Sequence, residues 1–253
     1  GTGYSPLTQI TTGNVANLTQ GWSYSLRSDP STAAGAEQGG GREPNSQVTP
    51  IVVGDVMYLP AVDRVVALDP ATGAEIWRHS VVDGAPSRRG VAYWPGENGT
   101  PPRVLFTAGR RLVALDAKTG SPLTGFGDRG YVDLSQGIDK PGAQVRCIST
   151  PIVSNDVVVA QVVPTGESGY EATPGHIRGY DVRTGERLWI FHVVPQGDDF
   201  GVDTWEEESW RYTGHSGVWT QLTVDEQLGY LYLPTEIATN DWYGGHRPGD
   251  NLF

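Results

Sequence analysis

Val65-Val66-Ala67-Leu68-Asp69-Pro70-Ala71-Thr72-Gly73-Ala74-Glu75-Ile76-Trp77 is the stretch whose reading decides the fold, because the chain writes it three times. It recurs as Leu112-Val113-Ala114-Leu115-Asp116-Ala117-Lys118-Thr119-Gly120-Ser121-Pro122-Leu123-Thr124 and as Ile177-Arg178-Gly179-Tyr180-Asp181-Val182-Arg183-Thr184-Gly185-Glu186-Arg187-Leu188-Trp189. In each copy an apolar-rich half reads as a strand, Asp-x-x-Thr-Gly supplies a turn with glycine where positive φ is tolerated, and a second strand follows. The second strand closes at Trp77, Thr124 and Trp189 in turn. A self-similar hairpin at wide, fairly regular spacing predicts a repeat fold.

A second phrase interleaves with the first. Thr49-Pro50-Ile51-Val52-Val53-Gly54-Asp55-Val56 returns as Thr150-Pro151-Ile152-Val153-Ser154-Asn155-Asp156-Val157. Two hairpins make one four-stranded antiparallel unit, and such units at roughly 40 to 50 residues are the signature of β-propeller blades. A β-sandwich also gives short strands with frequent turns, but it need not repeat its sequence. The reading is therefore all-β, a single partial β-propeller domain over 1–253, with blades at about 49–77, 103–126, 150–191 and 217–253, the last incomplete. Trp77 and Trp189 are expected to be buried at corresponding positions between blades. Thr124 in the place of a bulky residue predicts a looser second blade, or one that borrows Phe126.

Composition bounds the function. Thirty-four Gly and 18 Pro are enough to punctuate many short strands, and no apolar run approaches the roughly 20 residues of a membrane span. A net charge of −11 argues against a nucleic-acid partner, since phosphate binding needs a basic face. Cys147 is the single cysteine, which excludes an intramolecular disulfide and a Cys-rich metal motif and predicts a buried structural thiol. The five histidines lack metal-ligand spacing and are expected at the surface or in turns, and Asp198, Asp199 and Asp203 with Glu206, Glu207 and Glu208 read as a solvated loop. Walker A, His-x-x-x-His and Gly-x-Ser-x-Gly patterns are all absent.

Four phrases in order carry a family resemblance over nearly the whole chain: Tyr4-Ser5-Pro6-Leu7-Thr8-Gln9-Ile10 with Gly21-Trp22, Arg89-Gly90-Val91-Ala92-Tyr93-Trp94, Pro174-Gly175-His176-Ile177-Arg178-Gly179-Tyr180-Asp181, and Tyr243-Gly244-Gly245-His246-Arg247-Pro248-Gly249-Asp250-Asn251-Leu252. The chain resembles the dehydrogenases that use pyrroloquinoline quinone, in their glucose, quinate and alcohol branch. The resemblance implies an eight-bladed propeller, of which this chain matches about the N-terminal half, with the quinone stacked on a tryptophan beside a calcium ion. The segment around Trp22 would complete the last blade, and the remaining blades would come from elsewhere or from a partner chain. It also implies oxidation of a sugar, polyol or alcohol, electrons passed to a cytochrome or quinone, and a periplasmic or extracellular location.

The implied cofactor positions are Gln47, Arg89, Ser149 and Trp219. A broad aromatic face at Trp219 suits a planar tricyclic group, and a fixed cation at Arg89 suits its carboxylates and carbonyl oxygens. Other positions depart from the pattern. Where relatives carry a Ser-rich stretch and an acidic metal ligand, the chain runs Val159-Ala160-Gln161-Val162-Val163-Pro164, with Glu167 nearby as the replacement carboxylate. Ile148 stands where a Thr is common, and Ile237, following Glu236, where calcium-binding members have an asparagine. Calcium takes six to eight oxygen ligands and isoleucine offers none, so the metal ligands stay unassigned. Vicinal cysteines are absent before Arg89, which favours the sugar or polyol branch, and no residue takes the catalytic role. The alternative is a non-catalytic propeller scaffold of the same superfamily, which Val162, Val163 and Ile237 favour and Arg89 and Trp219 oppose.

Overall fold

Successive residues of a strand point to opposite faces, and in the repeated strands both sets are apolar, so each sheet must be covered twice. The computed structural model describes residues 7–27, 47–138, 140, 142–165, 169–240 and 242–252. The first sheet holds β1 (Ile51–Val53), β2 (Val56–Pro60), β3 (Arg64–Leu68) and β4 (Glu75–Ser80), paired antiparallel in chain order. The second holds β5 (Ala92–Trp94), β6 (Arg103–Ala108), β7 (Arg111–Asp116) and β8 (Tyr131–Asp133). A short strand β9 (Val145–Arg146) precedes the third sheet, made of β10 (Ile152–Ser154), β11 (Val157–Gln161), β13 (Ile177–Asp181) and β14 (Arg187–Phe191), while β12 (Val163–Pro164) pairs with β9. β15 (Thr223–Asp225) and β16 (Tyr230–Tyr232) form a fourth, two-stranded sheet.

The alternation decides how the sheets stack. Val65, Ala67 and Trp77 of the first sheet meet Val104, Phe106 and Leu115 of the second. The second sheet turns Leu105, Leu112 and Ala114 the other way, onto Val158, Ala160 and Tyr180 of the third. Val159 and Ile177 then face Val218, Leu222 and Leu231. On the free side of the first sheet, Leu59, Val66 and Leu68 are covered by Trp22, Tyr24 and Leu26. Each sheet is thus a blade between two neighbours, and the innermost strands β5, β10 and β15 lie side by side.

The repeated turn explains itself. In all three outer hairpins the Asp Oδ1 accepts the backbone N–H groups two and three residues on, as when Asp69 receives Ala71 and Thr72, both at 2.8 Å. These bonds hold Asp69 below the usual carboxylate range, Thr72 contributing most. The glycine that follows is left-handed in all three, and in the first two it lies under an indole, whereas Gly185 lies against Val132. A Cβ at Gly73 would come within 2.6 Å of the Trp22 ring and one at Gly120 within 2.5 Å of Trp77. The indole N–H groups then donate to Pro70 O (3.0 Å) and Ala117 O (2.9 Å), so Trp22 stands to the first blade as Trp77 stands to the second.

Two expectations are corrected. The second blade is wider than 103–126, because β5 opens it at Ala92 and β8 closes it at Tyr131–Asp133. Pro122 lacks the N–H a ladder needs, so the segment after the turn makes only an isolated bridge to Leu115, and Thr124 is exposed. Phe126 is fully buried in the interface with the third blade. There the turn carbonyl of Val182 receives the Arg103 guanidinium at 2.7 Å in place of an indole. Trp189 is the other correction. It pairs with Gly179 as Trp77 pairs with Ala67, yet it is 36% exposed against 9% for Trp77, because among the described residues no neighbouring outer hairpin covers it.

Candidate functional site

The connections entering the innermost strands converge at one end of the blades. Thr49, ahead of β1, donates its N–H to Arg89 O at 3.0 Å, and Gly90 fits beneath because a Cβ there would lie 3.0 Å from Thr49 O and 3.3 Å from Thr150 Oγ1. Arg89 reaches across to the fourth blade. Its guanidinium lies over the Trp219 ring, 5.0 Å from the centroid, and donates to the carbonyls of Trp219 and of Ile148, the latter at 3.3 Å. A cation on an indole face is attracted by the ring quadrupole. Burial, then the charge of Arg88, lowers the Arg89 pKa.

Trp219 is 46% exposed, with the Arg89 guanidinium over its ring. Beneath it lies a buried polar clasp. Ser149 donates to Val218 O at 2.7 Å and accepts from Gln161 Nε2 at 2.9 Å, while Gln161 Oε1 accepts the Val218 N–H at 2.5 Å. Thr107 adds a bond to Ser149 O at 3.0 Å. Ser149 is only 4% exposed and sits in the wall that holds Trp219. Gln47 is exposed, two residues before Thr49. The structure thus bonds Arg89 directly to Trp219, ties Ser149 to the neighbouring Val218 rather than to either of them, and leaves Gln47 exposed.

Gln161 is the residue that sequence reasoning passed over, although a lone amide inside Val158-Val159-Ala160-Gln161-Val162-Val163 was its signal. A buried amide must be hydrogen-bonded, and such a strand gives it no solvent. Val162 and Val163 are buried core residues.

The metal positions do not assemble. Among the described residues no group of three or more His, Cys, Asp or Glu side chains is placed to hold an ion. Ile237 is 52% exposed, Glu236 faces His215 Nε2 at 3.6 Å, and Glu167 lies outside the described residues. Among the described residues the site offers an aromatic face and a guanidinium, and no assembled set of acidic ligands.

Two polar expectations change. His176 is buried rather than superficial, its ring 4.5 Å from that of His192. Asp199 is no free loop carboxylate, since it accepts from Gln196 N at 2.8 Å and pairs with His192 Nδ1 at 2.7 Å. Glu206, Glu207 and Glu208 are exposed, and Cys147 is buried, with burial pushing its thiol pKa up.

The family described as "PQQ: Glucose/ethanol/alcohol dehydrogenase, beta-propeller domain" matches residues 1–253. The glycerol dehydrogenase large subunit of Gluconobacter oxydans is 34% identical over 98% of this chain and 34% of its own length. Quinoprotein glucose dehydrogenase A of Acinetobacter calcoaceticus is 32% identical over 98% of this chain and 33% of its own length. The crystal structure of quinohemoprotein alcohol dehydrogenase from Comamonas testosteroni superposes with a TM-score of 0.73 at 27% identity, covering 99% of this chain and 36% of that one. The chain spans about a third of the length of these relatives.

Proposed function

Because the chain belongs to the PQQ-dependent glucose/ethanol/alcohol dehydrogenase β-propeller family, we propose that it is the cofactor-seating part of a dehydrogenase that oxidises a sugar, polyol or alcohol. The observation that carries this reading is the Arg89 guanidinium over the ring of the half-exposed Trp219. When bound, pyrroloquinoline quinone supplies the oxidising power, accepting two electrons from the carbinol carbon. The chain's residues bind and orient it. Trp219 offers the stacking face, Arg89 moves from that face to the ligand's carboxylate and carbonyl edge, and Gln47 approaches from the margin. Ser149, with Gln161, acts one layer below by fixing the carbonyl and N–H of Val218 and hence the plane of the indole.

Electron transfer to a cytochrome or quinone and a periplasmic location belong to the same proposal, as do further blades from the rest of the propeller or a partner. Calcium is part of it only if ligands come from outside the described residues. No helix of the described residues is long and apolar enough to cross a membrane. Titration of the quinone against intrinsic tryptophan fluorescence tests the reading. Saturable quenching that Trp219→Ala abolishes and Arg89→Ala weakens is expected. No saturable quenching would favour the non-catalytic scaffold, the reading that exposed Ile237 supports.

A further inference from the structure

Beside the Arg89–Trp219 face, where the β2–β3 and β6–β7 turns meet the connections near β5 and β9, lies a cavity of about 440 Å³. Val48, Pro60, Val62 and Pro86 give it apolar walls, and Ile148, whose carbonyl holds Arg89, joins it to the face. Two cations line it, Arg88 and Arg146. Both are exposed, and neither guanidinium has a hydrogen-bond or ion-pair partner among the described residues. The acids around this end are engaged elsewhere: Asp63 with Arg64 (2.7 Å), Asp83 with Arg111 (2.7 Å) and Asp133 with Arg110 (3.3 Å). In a chain with 29 acidic and 18 basic residues, carboxylates are in excess, yet among the described residues none reaches these two guanidiniums.

We infer that this cavity seats the carboxylate of a hydroxy-acid or sugar-acid substrate between Arg88 and Arg146, with the substrate's hydroxyl end toward the Arg89–Trp219 face. The inference rests on the dehydrogenase reading and adds the substrate class. A neutral sugar needs side-chain acceptors for its hydroxyl protons. Among the described residues the cavity is lined by no Asp, Glu, Asn or Gln, and its one side-chain hydroxyl there, Ser87, donates to Ile148 O at 3.0 Å. Arginine only donates, in a planar fork that matches a carboxylate.

Calorimetric titration of the chain with gluconate and with glucose, in low salt and with or without pyrroloquinoline quinone, tests this. Gluconate is expected to bind and glucose not to at the same concentration. Arg88→Ala and Arg146→Ala should each weaken gluconate roughly tenfold, about the worth of one charge-assisted hydrogen bond, and Arg88→Lys should recover part of the loss. Added salt should weaken binding as well. Because both side chains are exposed and unpartnered, the variants should melt with the parent, and melting curves check this. Equal binding of glucose and gluconate, or gluconate binding untouched in the double variant, would overturn the inference. So would displacement of gluconate by the quinone, which would give the two arginines to the cofactor's own carboxylates. If gluconate binds as stated while the quinone fails to quench Trp219, the dehydrogenase reading falls and the anion seat stands.

Discussion

Burial, and after it the charges of His192 and Arg178, push His176 down to about 3 against the opposing pull of Asp199, so the imidazole is neutral in the native protein. An unfolded histidine titrates near 6.5. Between about 3 and about 6.5 the unfolded chain therefore binds the extra proton, and this residue's contribution to stability drains away as pH falls through that window. Asp199 adds a second loss at lower pH. Burial raises its pKa, but the Gln196 N–H and His192 outweigh it and leave a depressed carboxylate, whose contribution disappears as pH falls through the folded value. Urea midpoints at pH 7 and pH 4.5 should differ less for His176→Gln than for the parent. Parallel losses would show that this ring is not what the acid attacks. Gln161 makes a second test. Gln161→Leu strands the buried Val218 N–H and removes a partner from Ser149, at a cost of about 1–3 kcal/mol. It should also weaken quinone quenching although Gln161 never touches the face; unchanged quenching would divorce the clasp from the site.

At the scale of the hairpin, the turn chemistry was plain in the residues, and the docking was plain only in part. Asp-x-x-Thr-Gly announced three outer turns correctly, since the Asp cap and the left-handed glycine act locally. What the glycine carries on its open side is decided by the neighbouring blade. That is why Trp77 is covered and Trp189 is not, and why Arg103 of the second blade serves the third where no tryptophan stands. Substituting Trp77 by Ala should cost about 3–5 kcal/mol, whereas Thr124→Ala on an exposed segment should stay within about 0.5 kcal/mol. The glycines separate the two terms. Gly229, left-handed with nothing within 4 Å, should lose about 1–2 kcal/mol on becoming Ala, while Gly120→Ala adds displacement of the Trp77 ring and should cost clearly more. Chemical denaturation of the four variants checks the set, and equal losses at Gly120 and Gly229 would remove the indole from the account.

Over the whole molecule, repetition made the architecture legible: two interleaved phrases predicted four-stranded blades, and alternate residues of each do face opposite neighbours. The site was less legible, because it is built where connections from different blades meet and no single phrase contains it. Arg89 and Trp219 lie 130 positions apart and were joined only by resemblance, while Gln161, Arg88 and Arg146 carried no motif at all. At Ile237, by contrast, the residue alone decides, since an aliphatic side chain cannot be an oxygen ligand whatever the fold around it. The central claim is that the Trp219 face is the seat of a flat anionic quinone now covered by Arg89. A crystal structure of the chain soaked with pyrroloquinoline quinone tests it most directly. The account predicts planar density stacked on the Trp219 indole, with the Arg89 guanidinium moved from above the ring to the ligand's edge. Density bound elsewhere, or a ring still covered by Arg89 at a ligand concentration that saturates fluorescence quenching, would contradict it.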